Sequence, residues 1–264
     1  MMVTLTKLEI EEFKSFANRL ADAAASITLA NFRQPIKIEN KEKDDDFDPV
    51  TEADKAAEQA MRSLISSYYP AHTIIGEEFE SVTGDSEFSW VLDPIDGTRA
   101  YIMGLPTWGT LIALLHNGEP VIGIIDQPYT KERFLGTPEG SWLNDKVITC
   151  RPCDTLGDAF LSTTAFEYFS PAEQKAYLNL ADRVKLNRTG YDCYAYAMVA
   201  HGMIDIVAEA ALKKVDIMAL IPVIRGAGGV VSNWHGDAVG DDGRLLACGD
   251  VKIHKAALTI LKDL

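Results

Sequence analysis

The sequence predicts a layered α/β (α+β) sandwich that is more antiparallel than doubly wound. Apolar residues recur at helical spacing before residue 70, and short β-like runs begin at residue 73. Asn117-Gly118 joins two of these runs and is the strongest β-hairpin signal in the chain. The C-terminal part mixes helical and β-like segments, so we expect sheets covered by helices.

Two helices are predicted in the N-terminal part of the chain. Residues 4–32 carry apolar side chains at helical spacing, which indicates an amphipathic helix. Thr51 should cap a second helix, with Asp54 at its capping-box position and Pro70 at its end. The charged segment KEKDDDFDPV (41–50) has no periodicity, so we expect either a solvated loop or a mobile loop beside a cation site.

Five β-like runs follow the second helix. They are TIIGEE (73–78), SWVLD (89–93), TLIALL (110–115), VIGIID (121–126) and ERFLG (132–136). Pro94 should end the second run because proline has no N–H for a strand ladder. Gly97-Thr98 should let a helix begin immediately afterwards.

The C-terminal part predicts alternating helices and strands. The segments are a helix at 192–202, a strand at 205–210, a helix at 216–229, a strand at 230–234 and a final short helix. Pro222 should kink or shorten the helix at 216–229. With no internal repeat and no low-complexity linker, we expect one domain over 1–264, which could divide into subdomains of about 1–150 and 151–264.

The composition narrows the class of protein. Asp and Glu number 39 against 25 Lys and Arg, which argues against nucleic acid or an anionic membrane as the main partner. No apolar run approaches the roughly 18 residues of a spanning helix, and the first residues resemble no secretory signal. Four cysteines in a chain of 264 residues indicate no disulfide framework, so we expect the reducing cytoplasm.

The stretch WVLDPIDGTRAYIMG (90–104) places Asp93 and Asp96 three residues apart at the end of a β-like run. Neighbouring carboxylates raise one another's pKa unless a cation intervenes, and hard oxygen ligands favour Mg²⁺, Mn²⁺ or Ca²⁺. The free N–H groups of a following helix could hold a phosphate. The alternative is a capped turn without a ligand, although Glu77-Glu78 ends another run and could bring acids to the same place.

Other phosphatase and metal-site signatures are missing or weak. No cysteine has an arginine six positions later, no Gly-Lys-Ser/Thr forms a P-loop, and no HExxH occurs. DFDPV (46–50) matches an Asp-x-Asp-x-Val pattern, but KEKDD precedes it instead of the hydrophobic strand that this pattern must follow. We therefore interpret DFDPV as coincidental.

GEE (76–78), WVLDPIDGT (90–98) and an aspartate before a helix that ends in GAGG resemble the inositol monophosphatase family. The resemblance implies a lithium-sensitive, Mg²⁺-dependent phosphomonoesterase with α-β-α-β-α layers and a mostly antiparallel N-terminal sheet. DPIDGTRAYI, GTLIALL, GYDCYAYAMVAHG and KKVDIMALIPVIRGAGG look most like its histidinol-phosphatase branch. Inositol-type members usually have Thr-Asn-Phe after DGT and a Trp before the last Asp, where this chain has Arg99-Ala100-Tyr101 and Val215.

The resemblance also implies a set of metal ligands. Glu77, Asp93 and the carbonyl of Ile95 would hold one Mg²⁺, while Asp93, Asp96 and Asp216 would hold a second. A weaker third ion would lie near Glu77, and Mn²⁺ could substitute for Mg²⁺.

The same resemblance implies the catalytic residues. Glu77 and Thr98 would orient the attacking water, and the backbone N–H groups of Gly97 and Thr98 would bind phosphate. Asp54 would support Thr98, although the capping-box pattern alone also accounts for an aspartate there. Arg99 would face either the phosphate or a second subunit.

Glu209 and Asp192 are the candidate residues for reading the leaving group. Two acids would suit the ammonium of L-histidinol phosphate, although Asp192 could instead be the N-cap of the helix at 192–202. Inositol monophosphate or another small phosphomonoester is the alternative substrate, and a regulatory or binding role is a further alternative. The resemblance implies a homodimer.

Overall fold

The computed structural model describes residues 5–35, 37–40, 49–240 and 242–262. Helices within these ranges are α1 Lys7–Asn31, α2 Glu52–Tyr68, α3 Thr98–Ile102, α4 Pro171–Ala181, α5 Asp192–Ala200, α6 Lys214–Ile217, α7 Leu220–Gly226 and α8 Val251–Leu261. Short 3₁₀ turns lie at Leu156–Asp158 and Phe166–Tyr168. Across these described ranges, no helix combines the length and apolar character needed to cross a membrane.

Strands of the first half of the chain are β1 Ile38–Asn40, β2 Pro49–Thr51, β3 Thr73–Gly76, β4 Phe88–Asp96, β5 Gly109–His116, β6 Glu119–Gln127, β7 Glu132–Thr137, β8 Gly140–Leu143 and β9 Lys146–Ile148. Strands of the second half are β10 Phe160–Thr163, β11 Leu186–Thr189, β12 Ile206–Glu209, β13 Val230–Ser232 and β14 Leu245–Cys248.

The described strands form two large sheets and one two-stranded ribbon of β1 and β2. The first large sheet has seven strands in the order β3-β4-β5-β6-β7-β8-β9. It is antiparallel except for the parallel pair of β3 and β4, as predicted. The second sheet has the order β11-β10-β12-β14-β13 and mixes parallel and antiparallel pairs.

Helices cover both faces of the two large sheets. Helices α1 and α2 pack on the outer face of the first sheet through Leu20, Met61 and Trp90. Helices α5 and α7 lie between the sheets, and α4 and α8 pack on the far face of the second sheet. The predicted α-β-α-β-α layering is therefore confirmed. Burial on both faces explains why residues 111–115 (LIALL) are continuously apolar instead of alternating with polar residues.

The two predicted N-terminal helices form nearly as expected. Helix α1 begins after Thr6, whose hydroxyl and Glu9 complete a capping box. Helix α2 begins after Thr51, and Asp54 completes the capping box that the sequence predicts. Residues 41–48 of the predicted loop lie outside the described residues.

The prediction that Pro94 ends its strand is wrong. Strand β4 continues to Asp96, and its pairing with β5 shifts register between Asp93 and Asp96. The ladder is interrupted at Pro94 because proline has no N–H, but it resumes two residues later. The Ile95 N–H donates to Asp93 Oδ1 at 3.0 Å, so the interrupted segment keeps this amide paired.

The Asn117-Gly118 hairpin is confirmed, with both residues at positive φ (51° and 85°) between β5 and β6. The single helix predicted at 216–229 is instead two helices, α6 and α7, separated at Met218-Ala219. Pro222 is the third residue of α7, where an intrahelical N–H bond is not required. The helix that contains Pro222 is thus shorter than the predicted one, as expected. The break between α6 and α7 lies before Pro222, which falls in the first turn of α7.

Candidate active site

A cleft of about 590 Å³ lies between the end of β4 and the ends of β10 and β12. Except for Asp54, every residue predicted for the site lines this cleft: Glu77, Asp93, Ile95, Asp96, Gly97, Thr98, Arg99, Asp192, Glu209 and Asp216. We call Glu77, Asp93, Asp96 and Asp216 the acid cluster. Its members come from the residue after β3, from β4 and from α6.

Three members of the acid cluster meet closely. One carboxylate oxygen from each of Asp93, Asp96 and Asp216 lies within 4.8 Å of the other two. Glu77 lines the same cleft outside this three-aspartate group. The register shift in β4 explains part of this geometry, because it places Asp93 and Asp96 around one bulge.

Asp93 is the most buried member of the acid cluster, with 2% of its surface exposed. Burial raises its pKa well above the ordinary value, and the charges of Glu77, Asp96 and Asp216 raise it further. No basic side chain hydrogen-bonded to Asp93 is found among the described contacts. Such a buried carboxylate ionises readily only when positive charge is brought to it.

Asp96 and Asp216 each accept one backbone N–H. The Cys193 N–H donates to Asp96 Oδ2 at 2.7 Å, and the Lys213 N–H donates to Asp216 Oδ2 at 2.7 Å. These bonds fix the two side chains against the beginnings of α5 and α6. Burial still dominates, because it raises the pKa of Asp96 well above its ordinary value and that of Asp216 to about 7.

Glu77 is positioned by a buried ion pair that the sequence analysis missed. Arg62 Nε donates to Glu58 Oε1 at 2.7 Å, and both side chains, which belong to α2, are buried. Glu58 Oε2 accepts the Glu78 N–H at 2.8 Å, while Arg62 Nη2 donates to the Phe79 carbonyl at 2.9 Å. The pair therefore holds the backbone on the C-terminal side of Glu77. Its i, i+4 spacing on a predicted helix was a readable signal.

Thr98 and Asp54 lie beside the acid cluster. The Thr98 hydroxyl donates to the Ile95 carbonyl at 3.0 Å and lies 3.5 Å from Asp54 Oδ1. Asp54 also accepts the N–H and the hydroxyl of Thr51. Asp54 therefore has both expected roles: Oδ2 completes the capping box with Thr51, and Oδ1 contacts the Thr98 hydroxyl. Burial raises the pKa of Asp54 to about 6.

The raised pKa values predict a pH dependence of stability in the metal-free protein. The folded-state pKa values of Asp54 and Asp216, about 6 and 7, exceed their ordinary value of 3.8. The folded protein therefore binds more protons than the unfolded chain between about pH 4 and 7, so its stability falls as pH rises through that window. In EDTA, we expect a higher Tm at pH 5 than at pH 8.

Thermal unfolding followed by circular dichroism measures this difference. Asp216→Asn removes one titrating group and should narrow the gap between the two Tm values. A metal-free Tm that is equal at both pH values, or higher at pH 8, contradicts the prediction.

Gly97 forms the sharp junction between β4 and α3. Its φ is +82°, a left-handed conformation that glycine adopts at little cost. A Cβ at this position would lie 2.7 Å from Asp192 Cγ, so glycine also permits the close approach of α5. The structure thus brings the DGT segment and Asp192 into direct contact.

Glu209 lies on the cleft wall formed by the second sheet, with 5% of its surface exposed. The N–H and hydroxyl of Thr164 each donate to Glu209 Oε1 at 2.6 Å, and the Tyr196 hydroxyl donates to Oε2 at 2.9 Å. Burial raises its pKa to about 7, although these bonds act in the opposite direction. Thr164 and Tyr196 were not predicted as partners of Glu209, because only the tertiary fold brings these three residues together.

Asp192 is not the N-cap of α5, so that alternative is wrong. Tyr191 occupies the N-cap position without a side-chain cap bond, and Asp192 is the first helical residue, with φ +46°. Asp96 instead takes the free N–H of Cys193 from across the cleft. Asp192 Oδ2 lies 3.5 Å from the Thr107 hydroxyl, and burial raises its pKa to about 6.

Arg99 bridges the cleft from α3 to the turn at Phe166–Tyr168. Its Nη1 donates to Glu167 Oε1 at 2.8 Å, and its guanidinium lies 5.1 Å from the centre of the Tyr168 ring. Arg99, Glu167 and Tyr168 all line the cleft. The two orientations expected from the sequence, toward phosphate or a second subunit, both omitted this contact within the chain.

The five-layered sandwich and the buried acids at its cleft define a class, the metal-assisted hydrolases. Residues 9–263 match the sequence model described as "Inositol monophosphatase family". The protein belongs to this family, whose members are metal-dependent phosphatases.

Individual relatives agree with the family. "Bifunctional phosphatase IMPL2, chloroplastic" from Arabidopsis thaliana is 43% identical, over 98% of this chain and 77% of that protein. "Histidinol-phosphatase" from Streptomyces coelicolor is 34% identical, over 87% of this chain and 92% of that protein. A solved inositol monophosphatase from Zymomonas mobilis is 38% identical, with a TM-score of 0.86, covering 96% of this chain and 98% of its own.

Proposed function

We propose that this protein is a Mg²⁺-dependent phosphomonoesterase that hydrolyses L-histidinol phosphate to L-histidinol and phosphate, a step of histidine biosynthesis. One observation supports it above the others. A three-aspartate group and two further acids, the partly buried Asp192 and the buried Glu209, line one cleft. The first group suits metal and phosphate, and the second suits a cationic leaving group.

The acid cluster fits Mg²⁺ by its chemistry. Its donors are carboxylate oxygens, and burial with mutual repulsion raises the pKa of Asp93, Asp96 and Asp216, which leaves the cluster short of positive charge. Glu77, Asp93 and the Ile95 carbonyl would hold one ion, and Asp93, Asp96 and Asp216 a second. When bound, such ions lower the pKa of coordinated water and neutralise charge on the phosphoryl oxygens.

Hydrolysis forms a bond from water oxygen to phosphorus and breaks the ester P–O bond. The water must lose a proton, and the leaving alcohol must gain one. Glu77 offers a carboxylate to the water proton, while the Thr98 hydroxyl, 3.5 Å from Asp54 Oδ1, orients the water oxygen. The backbone N–H groups of Gly97 and Thr98 lie in the same cleft and would bind the phosphate oxygens.

The leaving-group assignment rests on charge. Asp192 is partly buried and Glu209 is buried, and burial raises their pKa values to about 6 and 7. An ammonium group nearby favours their ionised forms and supplies charge-assisted hydrogen bonds. The relatives named histidinol-phosphatase are consistent with this choice.

Inositol monophosphate, or another small phosphomonoester, is the second candidate substrate. The Zymomonas mobilis structure favours it, because that protein is described as an inositol monophosphatase and shares 38% identity with this chain. A regulatory or binding role has less support, since a protein that only binds does not require all of the acid cluster. A homodimer and a cytoplasmic location remain predictions.

Phosphate release from a small substrate panel tests the proposed function. Full-length protein with Mg²⁺ should release phosphate from L-histidinol phosphate, and EDTA should abolish the release because the acid cluster then lacks its cations. Release that continues unchanged in EDTA would exclude the metal-dependent mechanism. Release from no phosphomonoester in the panel would favour the regulatory alternative.

Gly97→Ala should impair both stability and activity. The substitution adds left-handed strain of about 1–2 kcal/mol and a Cβ 2.7 Å from Asp192 Cγ, which must displace Asp192 or the DGT backbone. We expect kcat/KM to fall by about tenfold or more, since small displacements at a reacting centre are costly.

Gly118→Ala is the matched control. Gly118 has nearly the same φ, +85°, but a Cβ there meets nothing within 4 Å. This variant should show a reduced Tm with unchanged kcat/KM in the same phosphate-release assay. If Gly97→Ala behaves in the same way, the contact with Asp192 has no role in the site.

A further inference from the structure

Lys213 places a positive charge against the acid cluster. Its Nζ lies 3.8 Å from Glu77 Oε1, and its side chain lines the cleft. The ammonium therefore acts on a member of the acid cluster that lies far from Lys213 in the sequence.

The position of Lys213 is set by its backbone, while its side chain has room to move. The Lys213 N–H donates to Asp216 Oδ2 at 2.7 Å, which anchors the residue at the start of α6. The side chain is 61% exposed, so water can solvate the ammonium when it moves away from Glu77. A side-chain substitution leaves the anchoring backbone bond available.

We propose that Lys213 is an internal counter-ion of the acid cluster, which partly neutralises Glu77 in the metal-free protein and must be displaced when Mg²⁺ binds. This inference rests on the proposed metal-dependent function. Lys213 thereby weakens the affinity for Mg²⁺ in exchange for a more stable metal-free fold. It is a residue that sets metal affinity, not a metal ligand.

The expected effect on affinity follows from simple electrostatics. Removing the ammonium removes both the competing ion pair and the repulsion between Lys213 and an arriving divalent cation. Because the pair is partly exposed and screened, the change should be moderate, about three- to tenfold tighter binding of Mg²⁺. The metal-free variant should also melt at a lower temperature, because the acids lose a neutralising charge.

Isothermal titration calorimetry with Mg²⁺ alone, on chelator-treated full-length protein in phosphate-free buffer, tests the proposal. Lys213→Met and Lys213→Gln should each lower the Kd for Mg²⁺ by about three- to tenfold. Lys213→Arg keeps the positive charge and should have the wild-type Kd. Lys214→Met is the matched control, because Lys214 is an exposed neighbour of the same charge that does not line the cleft. Its Kd should stay at the wild-type value.

Four results would overturn the inference. An unchanged Kd in Lys213→Met would show that the ammonium does not compete with Mg²⁺, and an equal tightening in Lys214→Met would show only a general charge effect. Weaker binding of inorganic phosphate to Lys213→Met, with an unchanged Kd for Mg²⁺, would make Lys213 a phosphate ligand instead. A wild-type protein that takes up no Mg²⁺ would overturn the proposed function together with this inference.

Discussion

We expect Asp93→Asn to lower kcat by at least about a thousandfold, because the substitution removes the carboxylate on which both proposed metal positions depend. Asp93 lies in the three-aspartate group, and the negative charge of Glu77 also raises its pKa. Asparagine keeps an oxygen that can accept the Ile95 N–H now bonded at 3.0 Å, so the local backbone should be retained. The loss should therefore appear in catalysis and metal binding, not in folding.

The metal-free Asp93→Asn protein should melt at the same or a higher temperature than the metal-free wild type. The substitution replaces a buried group whose ionisation is opposed by burial and by four neighbouring acids. Steady-state phosphate release and calorimetric titration with Mg²⁺ measure the two losses. A purified variant with wild-type kcat would end the proposed role of Asp93.

Asp126→Asn is the control for a buried aspartate outside the cleft. Asp126 is 3% exposed, and its Oδ1 accepts a hydrogen bond from Arg133 Nε at 2.7 Å. Arg133 Nη2 also lies 2.8 Å from Asp22 Oδ1. Its loss should lower stability by about 1–3 kcal/mol, since Arg133 retains only part of its pairing. Wild-type kcat in Asp126→Asn, beside the large loss in Asp93→Asn, separates catalytic from structural acids.

Local patterns in the sequence predicted the elements on which the acid cluster stands. The capping box of Thr51 and Asp54, the Asn117-Gly118 hairpin and the helix after Gly97 depend on residues close together in the chain, and all three form. The bulge at Pro94 was not predicted. A proline normally ends a strand, and only the pairing with β5 on the far side lets β4 resume at Asp96.

Some elements were missed although their signals were present. Ser170, Pro171 and Glu173 form an N-cap, a first-turn proline and a capping box, which together mark the start of α4. The short strands β10 and β14 have no comparable signal. Each is four residues long and is stabilised by partners far away in the chain, so its type depends on tertiary pairing.

The cleft shows the same limit. The acids at 93 and 96 are recognisable because they are neighbours in sequence, whereas the donors to Glu209 come from Thr164 and Tyr196 on other elements. The positive φ of Asp192 and the bond from Cys193 to Asp96 depend on how α5 meets β4. Resemblance to a family assigned Asp96, Asp192 and Glu209 to the site, but it did not indicate the contact of Arg99 with Glu167 or that of Lys213 with Glu77.

The preference for L-histidinol phosphate over inositol 1-phosphate should be at least about a hundredfold in kcat/KM. Metal ions and phosphate contacts act alike on any phosphomonoester, so discrimination has to come from the leaving group. Inositol presents neutral hydroxyls to Asp192 and Glu209, whereas histidinol presents an ammonium. A hydrogen bond to a charged group contributes about 1.5–3 kcal/mol, so two such bonds from the ammonium account for the expected ratio.

Asp192→Asn and Glu209→Gln test the source of that preference, because each keeps the size of the side chain while removing its charge. Both should reduce the ratio of kcat/KM values for the two substrates, chiefly by raising KM for L-histidinol phosphate. Hydrolysis of an aryl phosphate, which has no ammonium, should change by less than about threefold and serves as the control reaction. Wild-type protein that hydrolyses inositol 1-phosphate as well as or better than L-histidinol phosphate would establish the second candidate substrate. Variants that lose activity equally on all three substrates would instead place Asp192 and Glu209 in the support of the acid cluster.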